Sequence, residues 1–517
     1  MTDKRMPILA LIVFLASTVL ASAQFLDSES PPVTVTVTTT ENAFYFAANG
    51  SDANACTQAA PCLTVGKIAS LVIPPGASIN FRGGDNFVGC WALTTTNVPT
   101  GGDRLNPIVV QSFGAGKATI TANCGDGTGT TITSTFMDNG VSGVKLTNIT
   151  FFGGNVATGN VWVMGNVDTV VIDGIEASGV TAIGPGHYSA NIFIDGAGYG
   201  GAGCGAINNV QVINSKVHGQ TVTSHDDNGI TGSGCGTNVT NVHFNNNEVY
   251  FIGGHANANG GTSGNGIVLN SVHIGEAVGN LVHENGANAN TCGGPAGIWA
   301  YNSDSVTIKN NEVHHIQPIG GVPPGACDWA AYDLDVSVTN STVDTNYSHD
   351  NAGAAWLAYP GGAAWGPNTI KNNVSVNDNN QGTSGSGVAA INDGSSGVTF
   401  TNNTIWRAAG NTGGTQPPAC VGFSGGTFPA GTSVTSNTCT NQMTDQYGRT
   451  RYVDGGNGPD TTAVELKNNA YHNANCFHHW NLNNVEYPDL ASVQAAAGKE
   501  AGSTVVCDSP PPPERPF

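Results

Sequence analysis

The chain has 517 residues, of which 10% are charged, 39% are hydrophobic and 71 are glycine, and its net charge is −20. So few charges exclude a highly charged disordered chain, and glycine suits stacked turns that need positive φ. The acidic balance argues against nucleic acid, whose phosphates need clustered Lys and Arg, and against an unaided grip on a polyanionic sugar unless a bound cation bridges the charges.

Residues 1–23 read as a secretory signal: Lys4 and Arg5 precede an apolar run at 8–20, and Ala21-Ser22-Ala23 offers a cleavage site. The run is short for a membrane span and no other stretch qualifies, so an extracellular or periplasmic protein is expected. Residues 24–42, with VTVTVTTT inside, form a flexible leader. An N-terminal cap and first coils then occupy 43–143, repeats 144–476, a C-terminal cap 477–507 and a Pro-rich tail 508–517.

The repeats carry the fold. VKLTNITFFGG at 144–154 returns as VHFNNNEVYFIGG at 242–254, VTIKNNEVHHI at 306–316, NTIKNNVSV at 368–376, VTFTNNTIWRAAG at 398–410 and VELKNNAYHN at 464–473. Alternating apolar residues give a strand, Asn-Asn gives a turn, and a second short strand follows. A period of about 30 residues built this way is a solenoid, in which residues one period apart are neighbours in space. Asn214, Asn246, Asn310, Asn340, Asn372, Asn402 and Asn468 are expected to stack as a ladder along the axis. The stretch 272–286 and the coils past 410 look irregular.

Twelve cysteines, an even count in an exported chain, point to disulfides. Cys204–Cys235 and Cys292–Cys327 are each about one period apart, and Cys56–Cys62 closes a local loop. Neighbourhood suggests Cys90–Cys124 and Cys476–Cys507; Cys420 and Cys439 are left open.

Each coil also has an earlier strand. Aligning these strands on their inward residues gives an outward column Phe193, Val268, Trp299, Asp333, Leu357, Ala389, and two residues on a second column Asp195, Asn270, Tyr301, Asp335, Tyr359. Other exposed columns are Thr, Ser, Asn and Lys; this pair collects rings and acids.

Residues 45–87, YFAANGSDANACTQAAPCLTVGKIASLVIPPGASINFRGGDNF, resemble the opening segment of secreted right-handed parallel β-helix proteins of the pectate-lyase-like superfamily, and 331–353, AYDLDVSVTNSTVDTNYSHDNAG, resembles a recurrent phrase of that group. The resemblance implies an all-β, right-handed parallel β-helix of about 11–13 coils with an N-terminal cap, including a short helix at 66–72. It implies no single activity, because the fold hosts lyases, hydrolases, epimerases and adhesins.

Four chemical groupings follow. Asp333 and Asp335, at i and i+2, face one way and should push their pKa values apart as acid and base. Trp299 and Tyr301 one coil below and Tyr359 one coil above offer rings on which sugar C–H faces stack. His349-Asp350 is a candidate proton shuttle, in a stripe with His218, Tyr250, His283, His314, Trp406 and His472. The adjacent column runs Glu284, His315, Asp350, Asp378, Arg407; Glu284 and Asp350 lie two coils, roughly 10 Å, apart, and Glu284 is taken as substrate-binding. Finally, Asp226-Asp227 resembles the paired Asp of polygalacturonases, but Asn-Thr-Asp before it and Arg-Ile-Lys after it are absent; a Ca²⁺ site with Asp195 is the other reading. Lys145, Lys309, Lys371 and Lys467 lie beside the Asn ladder and Arg407, Arg449 and Arg451 come late in the chain, which counts against a lyase base near Asp333.

The sequence therefore reads as a monomeric carbohydrate-active enzyme acting on a polysaccharide or cell-wall glycan. Hydrolysis by paired carboxylates stands ahead of Ca²⁺-dependent β-elimination of a polyuronate, and a non-catalytic glycan-binding or cell-surface β-helix is the third reading.

Overall fold

The computed structural model describes residues 42–517 except 125–133, 154–158, 181–188, 199–202, 221–226, 256–262, 291–293, 322–327, 362–363, 382–386, 393–396, 412–418, 445–448 and 456–458. The signal, the leader through residue 41, Asp226, Cys292 and Cys327 fall outside the described residues.

Three sheets of 14 strands each, parallel except for the closing antiparallel pair His478–Leu482 and Val485–Tyr487, build a parallel β-helix. Every coil visits them in the same order. One coil runs through Asp304–Lys309 in the first sheet, Glu312–His314 in the second and Ala330–Leu334 in the third. The next runs through Thr342–Asp344, Tyr347–His349 and Trp356–Ala358. Thirteen such triplets follow one another among the described residues. The period-2 pattern sets the faces: Val306, Ile308 and Val313 are buried in the core while Thr307 and Lys309 point out. The stretch 272–286 is regular after all. It pairs in register on both sides, with Gly279 taking the positive-φ turn position that Asn fills elsewhere.

The ladder sits one residue later than the sequence reading placed it. The first Asn of each pair, such as Asn310, Asn372, Asn402 and Asn468, takes a positive φ of 54–57° to turn the corner, a conformation Asn tolerates better than most residues. The second Asn points inward. Asn247, Asn280, Asn311, Asn346, Asn373, Asn403, Asn437 and Asn469 form a continuous buried column, each side-chain Oδ1 accepting the backbone N–H of its counterpart one coil below at 2.8–3.0 Å. Asn340 belongs to neither column: it precedes the first-sheet strand Thr342–Asp344, and Thr345 and Asn346 make that coil's turn. Glu500 ends the ladder, buried among Asn469, Tyr471 and Ser503.

Disulfides join Cys56–Cys62, Cys90–Cys124, Cys204–Cys235, Cys476–Cys507 and the pair left open, Cys420–Cys439. Five such bonds fit an oxidising compartment. No helix among the described residues is long and apolar enough to cross a membrane. The expected N-terminal helix is a 3-10 segment, Val65–Ser70, with Val65 and Ile68 buried. The Pro-rich tail lies against the second sheet: Asp508 meets His472 at 2.6 Å, the Pro510 carbonyl accepts from the Trp406 indole at 2.8 Å, and Arg515 reaches Glu312 at 2.6 Å.

Candidate active site

The third sheet brings the expected rings and acids together. Trp299 pairs with Asp333, and Asp333 with Leu357, in adjacent coils. Two residues on, Asp335 donates its N–H to the Ala300 carbonyl at 2.9 Å and Tyr359 donates to the Leu334 carbonyl at 3.0 Å, which places Tyr301, Asp335 and Tyr359 in register. Strand alternation sends Tyr332 and Leu334 into the core and leaves Asp333 and Asp335 on the outer face. Trp299 and Tyr301 have ring centroids 5.4 Å apart, and Tyr359 is 48% exposed. One member of the column is corrected: Leu357 pairs with Ala390, while Ala389 pairs with Trp356 and faces the core. The GVAAI strand offers small apolar residues on both faces, so its register was not fixed by pattern.

The two carboxyls differ in environment. Asp333 is only 6% exposed, and Oδ1 has no hydrogen-bond partner. Leu357 pairs with it in the next coil, and Leu357 in turn packs with Ala330, Ala354 and Ala390. Burial, then the charges of Asp335 and Asp328, push the Asp333 pKa well above the usual carboxylate range. Asp335 is half-buried. Burial raises it to about 6, against the Val336 N–H at 2.7 Å and with help from Asp328, while the Trp299 Nε1–H at 3.2 Å favours the ion. A proton retained on Asp333 removes one negative charge from beside Asp335 and lets Asp335 ionise first. The two carboxyls are thus set apart, Asp333 holding its proton more tightly than Asp335.

Asp328, which the sequence reading missed, belongs to this constellation and accepts the Gly294 N–H at 2.9 Å. It and Trp329 have φ values of 80° and 51° on entering the strand. Positive φ at a bulky residue such as Trp329 is rare and stores strain of the kind found at functional sites. Nothing periodic in the sequence marks this position.

Replacing Trp299 by Phe keeps the ring but removes the N–H that favours ionised Asp335. The Asp335 carboxyl is expected to titrate about 0.5–1 pH unit higher, measured by carbon NMR of labelled aspartate. An unchanged titration would show that the indole does not tune Asp335.

Other expected members lie elsewhere. His349 and Asp350 belong to the second sheet, away from Asp333 and Asp335 on the third, so the four candidate catalytic residues stand as two separate pairs, as they were grouped from the sequence. Sequence period tells which coil a residue occupies but not which of the three faces its short strand ends on. Glu284 is likewise at the end of a second-sheet strand and is not part of the wall around Trp299. Glu284, His315 and Asp350 do stand one per coil, each at φ 54–56°. Asp378 leaves that column: Asn377 takes the turn position, and Asp378 points inward to accept from Asn351, Ser348 and Ser375. The Ca²⁺ grouping also fails. Asp227 starts its strand opposite Ser189, whereas Asp195 lies opposite Ser233, six residues or about 20 Å farther along. Asp195 holds the Trp162 indole and the Gly198 N–H, and Asp227 accepts the Gly254 N–H.

The stripe is a true stack over five coils; beyond it, Val376 and Thr440 separate Trp406 and His472 from the other rings. His218, Tyr250, His283, His314 and His349 follow one another with centroids 4.6–5.0 Å apart and ring planes within 15°. Burial, then the charges of His349, His283 and His315, lower His314 to about 4. Burial would also lower His349, but hydrogen bonds to Asp350 and Glu312 outweigh it and raise His349 to about 9.

No protein-family profile matches this chain, and no curated protein matches it. Solved structures resemble this chain at low identity. A GH136 lacto-N-biosidase from Eubacterium ramulus is 15% identical with a TM-score of 0.49, over 80% of this chain and 68% of that one. Pectate lyase Pel9A is 14% identical with a TM-score of 0.38, over 81% and 80%. DFA-IIIase from Arthrobacter chlorophenolicus A6 without its lid is 14% identical with a TM-score of 0.41, over 76% and 84%.

Proposed function

We propose that this chain is a secreted carbohydrate-active enzyme that cleaves a polysaccharide on the outer face of the third sheet. The observation that carries the reading is Asp333: a buried carboxyl with an unpartnered oxygen, two residues from a carboxyl that ionises near pH 6, on a wall flanked by Trp299, Tyr301 and Tyr359. Protonated Asp333 donates to the glycosidic oxygen as the bond to the leaving sugar breaks. Ionised Asp335 then assists water or attacks the anomeric carbon. The rings supply stacking surface for adjacent sugar units.

Hydrolysis is favoured over β-elimination because, among the described residues, the charges felt by Asp333 and Asp335 are those of other carboxylates, and no Lys or Arg is among them to serve, once deprotonated, as the base that takes the proton next to a uronate carboxyl. Arg451 does stand on the third sheet, but farther along the solenoid, and it is engaged by Asp454 and Glu486. The test is to incubate the protein with neutral and uronic polysaccharides, with and without EDTA. New reducing ends without a conjugated double bond are the expected result. Ultraviolet absorbance from an unsaturated uronate would indicate β-elimination, and binding without cleavage would indicate a glycan-binding solenoid.

A further inference from the structure

We infer that Glu312, His314 and His349 on the second sheet form a binding site for one divalent transition-metal ion of the Zn²⁺ class. This inference is independent of the third-sheet wall. Glu312 and His314 are two residues apart on one strand and so share its outer face, and His349 pairs directly with His314 in the next coil. One donor atom from each of the three lies within 4.8 Å of the others. Two imidazoles and a carboxylate are a donor set that Zn²⁺ accepts, with a fourth position left for water. Tetrahedral Zn²⁺ would hold such donors about 3.4 Å apart, a contraction within reach of side-chain rotation. Glu312 Oε1 and His349 Nε2 are already 3.4 Å apart.

Each ligand is also held from behind. His349 turns Nδ1 to the Asp350 carboxylate at 3.0 Å, which leaves Nε2 facing Glu312. The Nδ1 of His314 is engaged by His315 Nδ1 at 2.7 Å, so its Nε2 is the atom left for a ligand role. The other oxygen of Glu312 is held by Arg515 of the C-terminal tail at 2.6 Å. Metal-ligating histidines and carboxylates are commonly oriented through their second polar atom in this manner. His283 in the same stack is also engaged at both nitrogens, Nδ1 by Glu284 and Nε2 by Glu248, so single back-side contacts belong to the stack; what sets Glu312, His314 and His349 apart among the described residues is that two imidazoles and a carboxylate converge there.

The experiment is calorimetric titration of ZnCl₂ into the full chain, without a histidine tag and after EDTA dialysis. One Zn²⁺ per chain is expected, with micromolar or tighter affinity, and Co²⁺ at the same site should give the visible absorption of tetrahedral coordination. His314→Ala and Glu312→Gln should weaken Zn²⁺ by at least about 100-fold, and Asp350→Asn, which touches only the orienting group, by about 10–100-fold. Asp350 is part-exposed, so its variant carries the test even where a ligand variant misfolds. Absence of Zn²⁺ uptake by the wild type, or equal uptake by wild type and Asp350→Asn, would overturn the site.

Discussion

Replacing Asp333 by Asn is expected to lower polysaccharide cleavage by about 10²–10⁴-fold, the usual contribution of a positioned general acid, while making the fold more stable at neutral pH. The two effects have one cause. Folded Asp333 must keep its proton in a buried setting that lacks a hydrogen-bond partner for Oδ1, whereas the unfolded chain ionises near pH 4. Between those values the native state binds more protons than the unfolded state, so stability falls as pH rises, by up to about 1.4 kcal/mol per pH unit. Asparagine has no proton to lose and abolishes this slope. The melting-temperature gain of Asp333→Asn over wild type should therefore be small near pH 4 and grow as pH rises above it. A gain independent of pH, or full activity in the variant, would show that Asp333 is an ordinary ionised surface acid. Asp335→Asn should also abolish turnover, with a smaller pH-dependent gain that levels off above about pH 6, where folded Asp335 has ionised.

The second large effect falls on the ladder. Asn373→Ala is expected to destabilise the fold by about 3–5 kcal/mol. Its Oδ1 accepts from the Asn346 backbone N–H at 2.8 Å and the Asn346 side chain at 3.0 Å, and its Nδ2 donates to the Val343 carbonyl at 3.0 Å and to Asn403 at 2.9 Å. Truncation leaves the buried Asn346 N–H without its acceptor, which costs more than an exposed hydrogen bond returns. The adjacent Asn372 is the control. It takes φ 57° at the turn, and its exposed side chain bonds only Asp344. Asn372→Gly keeps that backbone conformation accessible and should change stability by less than about 1 kcal/mol. Urea unfolding of both variants separates the two roles. Equal losses at 372 and 373 would contradict the inward ladder.

That contrast also marks where the sequence was legible. Period, strand alternation and the Asn-Asn turn define the coils because parallel in-register stacking turns separation in sequence into adjacency in space. Trp299 meets Asp333 for that reason. The choice between adjacent Asn residues is harder: both are polar, and only backbone geometry tells the turn residue from the inward one. The face is harder still. Asp333 and His349 lie 16 positions apart, less than one coil, and the intervening chain turns from the third sheet through the first to the second. Asp328 escaped notice because a loop residue has no counterpart to align with. Glu312 was passed over because its column, Glu248, Leu281, Glu312, Tyr347, mixes residue types where the neighbouring stripe over the same coils, Tyr250, His283, His314, His349, is all aromatic.

The most direct measurement is the titration of Asp333 itself, by carbon NMR of protein labelled at the aspartate carboxyl carbon, with Asp333→Asn to assign the resonance. The carboxyl resonance that vanishes from the variant's spectrum is expected to titrate well above the usual carboxylate range, with Asp335 titrating near pH 6. If every aspartate ionises below about pH 5, the third-sheet wall holds no acid to donate and cannot cleave a glycosidic bond by this chemistry.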